Sequence, residues 1–311
     1  MRLISLLVAV GFSLAPFAAH CASPVTPADH RAEATLSTQR VYVRDTAGKP
    51  WDDRRDFTNV ERGWVASPSA ATIPRDGGGV AWAFKDYRAL LKESAPPTVN
   101  PVLWRQVQLN AASGLFKVVE RVYQVRGYDL ANMTIVEGDT GIIIIDPLLA
   151  VETSRAALEL YRQHRGDRPV KAVIYTHSHV DHFGGVKGVV TEEDVRSGRV
   201  PVLASKNFLR EAISENVTAG NAMQRRTIYF AGMLLPRDAK GSVDAGLGAA
   251  VANGTMSFIA PTEEIGDGMV TRTIDGVEFE FHQTPNTEAP SEMILYLPQF
   301  GVLNMAEIAA H

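Results

Sequence analysis

Val173-Ile-Tyr-Thr-His-Ser-His-Val-Asp-His-Phe-Gly-Gly185 joins an apolar, β-branched run to a histidine-rich cluster and then to paired glycines. The run predicts a buried strand, and the glycines predict a tight turn directly after the cluster. Because residues two apart on an extended chain point the same way, His177 and His179 should converge on one point. Where the strand ends, Asp181 and His182 can turn toward a second point a few ångströms away. Imidazole and carboxylate are ligands of Zn²⁺, so two such points about 3.5–4 Å apart predict a hydrolytic dimetal site rather than a metal-free histidine-rich loop.

The composition is that of an ordinary globular protein. The chain has 311 residues, of which 45% are hydrophobic and 21% are charged. Its net charge of −4 gives no electrostatic basis for binding nucleic acid, and no basic run marks an anionic membrane surface. These features predict neither a nucleic-acid partner nor a membrane-surface partner.

The N-terminus carries a different signal. Met1-Arg2 precedes a charge-free stretch to Ala19, and small residues follow around Cys21. This pattern predicts a signal peptide over residues 1–21 and a periplasmic or secreted protein, with an uncleaved anchor or a lipoprotein as alternatives. Cys21 is the single cysteine, so the mature chain is expected to lack disulfides and thiolate ligands.

After the signal segment, the pattern predicts an N-terminal lead-in and packing segment over 22–102, loosely held up to residue 50, and a main domain over 103–311. Apolar runs and turn signals in the main domain predict strands at Val119–Val125, Met133–Val136, Ile142–Ile145, Val170–Tyr175, Pro201–Ala204, Thr273–Phe279 (a hairpin), Met293–Leu297 and Val302–Met305. Helical periodicity covers Glu152–Gln163 and Lys206–Phe230. This order predicts a layered α/β sandwich rather than a Rossmann sheet.

The segment Arg237–Ser257 is rich in Gly, Ala and Ser and is predicted to be a loop. It is either a loose insertion or a cover that controls access to the site. The apolar residues Met233, Leu234, Leu235 and Phe258 flank it and are expected either in the core or in an apolar channel.

Two further carboxylates occupy equivalent places in the predicted sheet. Glu288 follows the strand that ends near Phe281, and Glu307 follows the strand that begins at Val302. Each lies where the backbone leaves the sheet, although a solvated loop carboxylate is the ordinary alternative at either position. Since two metals need more ligands than the His177–His182 cluster supplies, both glutamates are candidate ligands.

Several segments form a distinctive set: Thr176–Gly185, Asp53-Arg-Arg-Asp-Phe57, Arg62-Gly63, Gly114-Leu-Phe116, Tyr123-Gln-Val-Arg-Gly-Tyr-Asp129, Thr284-Pro-Asn-Thr-Glu-Ala-Pro290 and Ala306-Glu307. In these segments the sequence resembles a known family, the bacterial alkyl sulfatases, a branch of the metallo-β-lactamase superfamily. The resemblance implies an αββα sandwich of the metallo-β-lactamase type. It also implies two zinc ions per chain, held by His177, His179, Asp181, His182, Glu288 and Glu307.

The same resemblance implies a reaction, the hydrolysis of alkyl sulfate esters such as dodecyl sulfate by an activated water. Asp181 would bind metal and orient that water. Asp146 and Asn132 would fix the ligands or contact the sulfate, unless they are a strand-end turn and a capping residue. An apolar channel would receive the alkyl tail.

The sequence also departs from the family. Family members continue well beyond the Ala-Glu motif, with a dimerisation domain, a small lipid-carrier-like domain, a further zinc-bridging histidine and a sulfate-binding arginine. The sandwich is therefore expected to be incomplete at its C-terminus, with a homodimer formed by the longer parent through a domain absent here. His311 resembles a family histidine after the Ala-Glu strand and is a candidate contact.

Two other functions compete with this one. The first is another hydrolase of the superfamily, acting on a β-lactam or a thioester, although those enzymes usually carry a histidine where Glu288 stands. The second is a catalytically impaired fragment that only binds metal.

Overall fold

The computed structural model describes residues 32–90 and 94–309 of the chain. The predicted signal peptide, the first residues of the lead-in segment and His311 lie outside the described residues. Of the described helices, none is long and apolar enough to cross a membrane.

About half of the described chain lies in short strands and helices. The strands are β1 (Trp64–Ala66), β2 (Thr72–Pro74), β3 (Val80–Ala83), β4 (Gly114–Val119), β5 (Val122–Arg126), β6 (Met133–Glu137), β7 (Ile142–Ile145), β8 (Val170–Tyr175), β9 (Val202–Ala204), β10 (Glu263–Glu264), β11 (Met269–Ile274), β12 (Val277–Gln283), β13 (Met293–Leu297) and β14 (Val302–Asn304). The helices are α1 (Leu36–Thr46), α2 (Arg55–Val60), α3 (Phe84–Leu90), α4 (Pro101–Asn110), α5 (Val151–Arg165), α6 (Glu192–Arg196), α7 (Phe208–Ile213) and α8 (Gly220–Phe230).

Two main sheets form from these strands. The larger has the order β1-β4-β5-β6-β7-β8-β9-β10, and the smaller has the order β11-β12-β13-β14. Strands β7, β8 and β9 are parallel neighbours, and α5 connects the first two of them. Because parallel strands are covered on both faces, β7 and β8 consist largely of buried apolar residues, as the sequence predicted.

The core has two layers, one on each face of the larger sheet. Between the sheets, Ile143 and Ile145 of β7 lie in one buried cluster with Phe279 and Phe281 of β12. On the other face, Leu158 of α5 shares a second cluster with strand residues that point the opposite way. Because successive side chains of a strand point to opposite faces, one face of the larger sheet packs against α5 and the other packs against the smaller sheet. The layered α/β sandwich predicted from the sequence is confirmed.

Two local predictions were wrong. Val119–Val125 is not one strand, because β4 ends at Val119 and β5 begins at Val122, with Arg121 at a left-handed φ of 68° between them. The turn carries neither Gly nor Asn, so composition did not reveal it. The stretch up to residue 50 is not uniformly loose either, since it contains α1, capped by Thr35 through a 3.1 Å bond from the Thr38 amide.

The segment before residue 103 also contributes to the sheets. Strand β1 pairs with β4 at the edge of the larger sheet, and β2 pairs with β3 in a separate two-stranded sheet. The predicted start of the main domain lies within α4, which begins at Pro101 behind an Asn100 cap.

The loop Arg237–Ser257 contains no helix or strand, as predicted. Buried carboxylates hold its second half. The Ala252 amide donates to Asp129 (3.0 Å), and the Thr255 amide donates to Glu152 (2.7 Å). At its end, the Ser257 amide donates to the carbonyl of Gly184, within the turn after the histidine cluster (2.7 Å). These bonds contradict the alternative of a loose insertion.

Asp129 is one of these buried anchors and gives a pH-dependent prediction. Its carboxylate is 2% exposed and also accepts hydrogen bonds from Leu130 and Thr153. Burial raises the pKa of Asp129 to about 6, despite these hydrogen bonds, which lower it. A raised pKa means that the folded state holds this proton more tightly than the unfolded state, so its contribution to stability is full below pH 3.8 and disappears as pH rises through 6.

We therefore expect lowering the pH from 7.5 to 5.5 to stabilise the wild type relative to Asp129→Asn by about 0.8 kcal/mol. Urea unfolding of both proteins with EDTA present measures this difference, because metal release then affects neither protein. A gap that stays constant, or that changes in the opposite direction, would contradict a raised pKa at Asp129.

Candidate metal centre

The histidine cluster follows the C-terminal end of β8, where the two sheets meet. His177 forms an isolated antiparallel bridge with Glu292, and the Met293 amide donates to the carbonyl of Thr176 at 3.0 Å. Since Met293 begins β13, this contact fixes the end of β8 against the smaller sheet. A short 3₁₀ turn, Val180–His182, then folds the chain back.

Gly185 allows this turn to pack directly against the segment that leads into α5. A Cβ atom at this position would lie 2.2 Å from the carbonyl oxygen of Pro147 and 2.7 Å from the Cβ of Ser154. The glycine after the motif is therefore needed for a close backbone approach.

The fold brings all six predicted ligands together in two overlapping groups. Ligand atoms of His177, His179, Glu288 and Glu307 lie within 4.8 Å of one another, and so do those of Asp181, His182 and Glu307. The two convergence points inferred from the strand geometry thus each gain a glutamate. Glu307 belongs to both groups, which the sequence did not indicate.

The distances show which ring nitrogens face these groups. Nδ1 of His179 lies 2.9 Å from Oε2 of Glu288, and Nε2 of His177 lies 3.5 Å from the same oxygen. Nε2 of His182 lies 3.4 Å from Oε1 of Glu307 and 3.5 Å from Oδ2 of Asp181. His177 and His182 therefore present Nε2 to the ligand groups, whereas His179 presents Nδ1.

Asp146 determines the orientation of two of the three imidazoles. It ends β7 at a left-handed φ of 56° and is 4% exposed. Its Oδ1 accepts from the Thr176 amide (2.8 Å), and its Oδ2 accepts from Oγ1 of Thr176 (2.8 Å) and from Nδ1 of His182 (2.9 Å). Since the Thr176 hydroxyl donates to Asp146, it accepts from Nδ1 of His177, 2.9 Å away. In the neutral form, both histidines therefore carry the hydrogen at Nδ1 and present a bare Nε2.

The donor set fits a metal. Nε2 of His177 and Nε2 of His182 are buried and have no hydrogen-bond partner among the described residues. Buried polar atoms are ordinarily paired, so two such nitrogens beside carboxylates indicate that another group completes the site. Three imidazoles and three carboxylates, without thiolate, are suitable ligands for a pair of divalent ions such as zinc.

The electrostatics differ between the buried histidines. Burial lowers the pKa of His177 well below its usual value, and the neighbouring imidazoles of His182 and His179 lower it further. Burial also acts to lower the pKa of His182, but the carboxylates of Asp181 and Asp146 outweigh it and raise that pKa well above its usual value. A metal at this site must therefore displace a proton from His182, whereas His177 is already neutral.

Comparison with known proteins gives the family. The family model of the metallo-beta-lactamase superfamily matches residues 126–284, which include the whole histidine cluster. The chain belongs to the metallo-beta-lactamase superfamily. Its fold is the metallo-β-lactamase sandwich that the sequence resemblance implied.

Within this superfamily the chain resembles the alkylsulfatases. It is 50% identical over 279 residues to the alkyl/aryl-sulfatase BDS1 of Saccharomyces cerevisiae, covering 90% of this chain and 43% of that protein. It is 47% identical over 296 residues to a linear primary-alkylsulfatase of Pseudomonas sp., covering 95% of this chain and 43% of that protein. The structure of the stereoselective inverting sec-alkylsulfatase Pisa1 from Pseudomonas sp. matches with a TM-score of 0.84 and 46% identity, over 88% of this chain and 43% of that one. The chain thus spans less than half the length of each of these relatives.

Sequence reasoning missed Glu292, which arranges the loop around Glu288 in this metallo-beta-lactamase fold. Glu292 is fully buried, and its Oε2 accepts from the amides of Glu288 (2.8 Å) and Ala289 (2.9 Å) and from Oγ1 of Thr287 (2.6 Å). A charged residue directly before an apolar strand was the available signal. Its role depends on the loop closing back on itself, which composition does not show.

Sequence reasoning also missed Glu215. It lies on a π-helical turn, Ser214–Thr218, between α7 and α8, and its Oε2 is 3.6 Å from Nε2 of His179. Burial raises the pKa of Glu215, and the nearby Glu288 adds to this effect, whereas the charge of His179 lowers it. No motif marks this residue in the sequence.

The remaining predicted residues are placed as follows. Asn132 lines a cavity of about 760 Å³ together with Asp146, His182 and Glu307. Asn132 is thus near the predicted ligands, and its role stays a prediction. His311 lies outside the described residues.

Proposed function

We propose that this chain carries the catalytic centre of a zinc-dependent hydrolase of alkyl sulfate esters. The observation that carries the proposal is the ligand cluster, in which Glu288 and Glu307 complete the groups formed by the histidine motif. The similarity to alkylsulfatases supports this substrate class over other substrates of the superfamily.

The cluster divides naturally into two metal positions. His177, His179 and Glu288 would hold one ion, Asp181 and His182 would hold the other, and Glu307 would contact both. A zinc pair, when bound, supplies Lewis acidity and lowers the pKa of water toward about 7.

The charges of the site suit a sulfate monoester. With the histidines neutral, the carboxylates of Asp181, Glu288 and Glu307 carry three negative charges. Two Zn²⁺ ions carry four positive charges, so one positive charge is left over. The resulting single positive charge matches the monoanionic sulfate group and remains attractive as negative charge develops on it. If a histidine stood in place of Glu288 beside His177 and His179, the site would carry a larger positive charge.

The chain's own groups have separate tasks in this reaction. Asp181 is largely buried within its ligand group, with its side chain 15% exposed, and would orient the attacking water and accept its proton. Asp146 and Thr176 keep Nε2 of His177 and of His182 directed at the ligand groups.

An apolar surface supports the choice of an alkyl substrate. Leu234 is 80% exposed, Leu235 49%, Met233 42% and Phe258 39%, so the core interpretation of these residues was wrong. Phe258 follows the loop that is bonded to Gly184 in the turn after the histidine cluster, and its ring stacks edge-on against Phe183 at 5.6 Å. Phe258 is therefore an exposed apolar side chain beside the histidine motif, suited to contact an alkyl tail.

Sulfate release from dodecyl sulfate by the purified, zinc-loaded chain tests the proposal. We expect release that EDTA abolishes and zinc restores, and that His179→Ala lowers by at least about 100-fold because a metal ligand is lost. His164→Ala is the matched control, since His164 lies on the exposed side of α5. Zinc-dependent hydrolysis confined to nitrocefin or a thioester would contradict the sulfatase assignment.

We also propose that the protein is exported. The basic start, apolar stretch and small residues of 1–21 support this. Mass spectrometry of the mature protein should give an N-terminus after Cys21 or Ala22. A mature chain that begins at Met1 in the cytoplasm would contradict it.

A further inference from the structure

His179 is held between two carboxylates on opposite edges of its ring. Nδ1 lies 2.9 Å from Glu288, inside the ligand group, and Nε2 lies 3.6 Å from Oε2 of Glu215, outside it. The side chain of His179 is 23% exposed and that of Glu215 is 22% exposed, so the pair is largely shielded from solvent.

The chemistry of imidazole assigns the proton. A neutral histidine has one bare nitrogen and one N–H, and only the bare nitrogen can bind a metal. Since Nδ1 of His179 faces Glu288 and the other ligands, Nε2 must carry the hydrogen when a metal is bound. The carboxylate of Glu215 lies 3.6 Å from that nitrogen, slightly beyond hydrogen-bond distance, and would accept the hydrogen after a shift of a few tenths of an ångström.

This arrangement completes a pattern seen at the other two histidines. Nδ1 of His177 donates to Thr176, and Nδ1 of His182 donates to Asp146. His179 is the member that presents the opposite nitrogen, so it needs an acceptor on the other side of the ring. Glu215 occupies that side.

The fold holds Glu215 in place through its helix. Phe208 at the start of α7 is fully buried and stacks on Tyr175, the last residue of β8, with 5.1 Å between the ring centroids. The amides of Asn207 and Leu209 donate to Glu264, which fixes the beginning of this helix against β10. The strand that delivers His179 is therefore in direct contact with the helix that precedes Glu215.

The π-helical turn sets the direction of the Glu215 side chain. The Ala219 amide bonds to the carbonyl of Ser214 at 2.9 Å, five residues back, which inserts an extra residue between α7 and α8. Such insertions alter which residues face inward and are frequent at functional sites. Val217 on the same turn is 73% exposed, whereas Glu215 faces the cluster.

We propose that Glu215 is a positioning residue that keeps the Nε2–H tautomer of His179 and so directs Nδ1 at the metal shared with His177 and Glu288. This role rests on the proposed metal-dependent function. Removing the acceptor should lower the affinity for the zinc ion bound by His179 by about 10–100-fold, the range for residues that orient a ligand.

Chelator competition for zinc by the full chain tests this role. Glu215→Leu should show the full loss, and Glu215→Gln should recover most of it, because the glutamine carbonyl oxygen still accepts a hydrogen bond. Glu211→Gln is the matched control, since Glu211 lies on the adjoining helix and pairs with Arg210. Thermal unfolding of the metal-free proteins should be the same for all of them.

Nitrogen-15 NMR of the histidine rings gives a readout that a merely structural role would not change. In the zinc-loaded wild type we expect one histidine, His179, bound through Nδ1 and protonated at Nε2, and in Glu215→Leu a loss or broadening of that signal. A wild type that binds no zinc would overturn the proposed function and this inference with it. Zinc binding by the wild type that Glu215→Leu leaves unchanged in affinity and tautomer would overturn only the role of Glu215.

Discussion

Alanine in place of Glu307 should empty both metal positions at zinc concentrations that saturate the wild type. Glu307 is the residue common to the two ligand groups, and its Oε1 lies 3.4 Å from Nε2 of His182. Its loss removes a ligand from each position and leaves only Asp181 beside the buried Nε2 of His182. We expect zinc affinity to fall by more than about 100-fold, beyond the 10–100-fold effect of a residue that only orients a ligand.

Two further variants make this prediction specific. Glu288→Ala should reduce the zinc content from two ions to one, because Glu288 belongs to only one of the groups. Glu278→Ala should change nothing, since Glu278 lies on β12 between two core residues and points away from the buried face. Elemental analysis after dialysis against buffered zinc measures all three. Equal zinc content in the Glu307→Ala and wild-type proteins would exclude a shared ligand.

Asparagine in place of Asp146 should weaken zinc binding at the Asp181–His182 position by about 10–100-fold. Asparagine tolerates the left-handed backbone of this residue, and its carbonyl oxygen can still accept from the Thr176 amide. Its amide group cannot accept from Nδ1 of His182, so that ring loses the partner that fixes its tautomer. Asp146→Asn therefore changes the hydrogen bond to His182 without adding backbone strain at position 146.

Alanine at the same position should have a larger effect on stability. Asp146→Ala leaves the Thr176 amide and Nδ1 of His182 buried without their acceptor, and we expect the metal-free protein to lose about 3 kcal/mol of unfolding free energy. Asp275→Asn serves as the control for zinc affinity, because Asp275 accepts from Thr140 and Gly141 at the hairpin between β6 and β7. Unchanged zinc affinity in Asp146→Asn would show that Asp146 does not orient His182.

The convergence of the histidine cluster was predictable because its geometry is local. His177 and His179 lie two residues apart after a strand, and Gly185 is needed immediately beyond them, so period and turn chemistry are enough to place them. The apolar strands β7 and β8 were predictable for a similar reason, since strands buried on both faces have few polar residues.

The arrangement of the candidate ligands in two groups that share Glu307 was not predictable, because it depends on how the two sheets meet. Glu307 becomes common to both groups only when β14 is placed beside β13 and the end of β8 is bridged to Glu292. Glu215 depends on a helix packed through Phe208 on Tyr175, far from it in sequence. The helix α1 was missed since it has no buried residue and hence no apolar stripe.

Zinc-edge anomalous diffraction from crystals of the zinc-loaded chain tests the central claim most directly. We expect two peaks about 3.5–4 Å apart at this sheet edge, as in other two-metal hydrolytic sites. One should lie against Nε2 of His177 and Nδ1 of His179, the other against Nε2 of His182, with Glu307 touching both. The absence of any peak among these six side chains, in crystals whose zinc lies elsewhere, would contradict it.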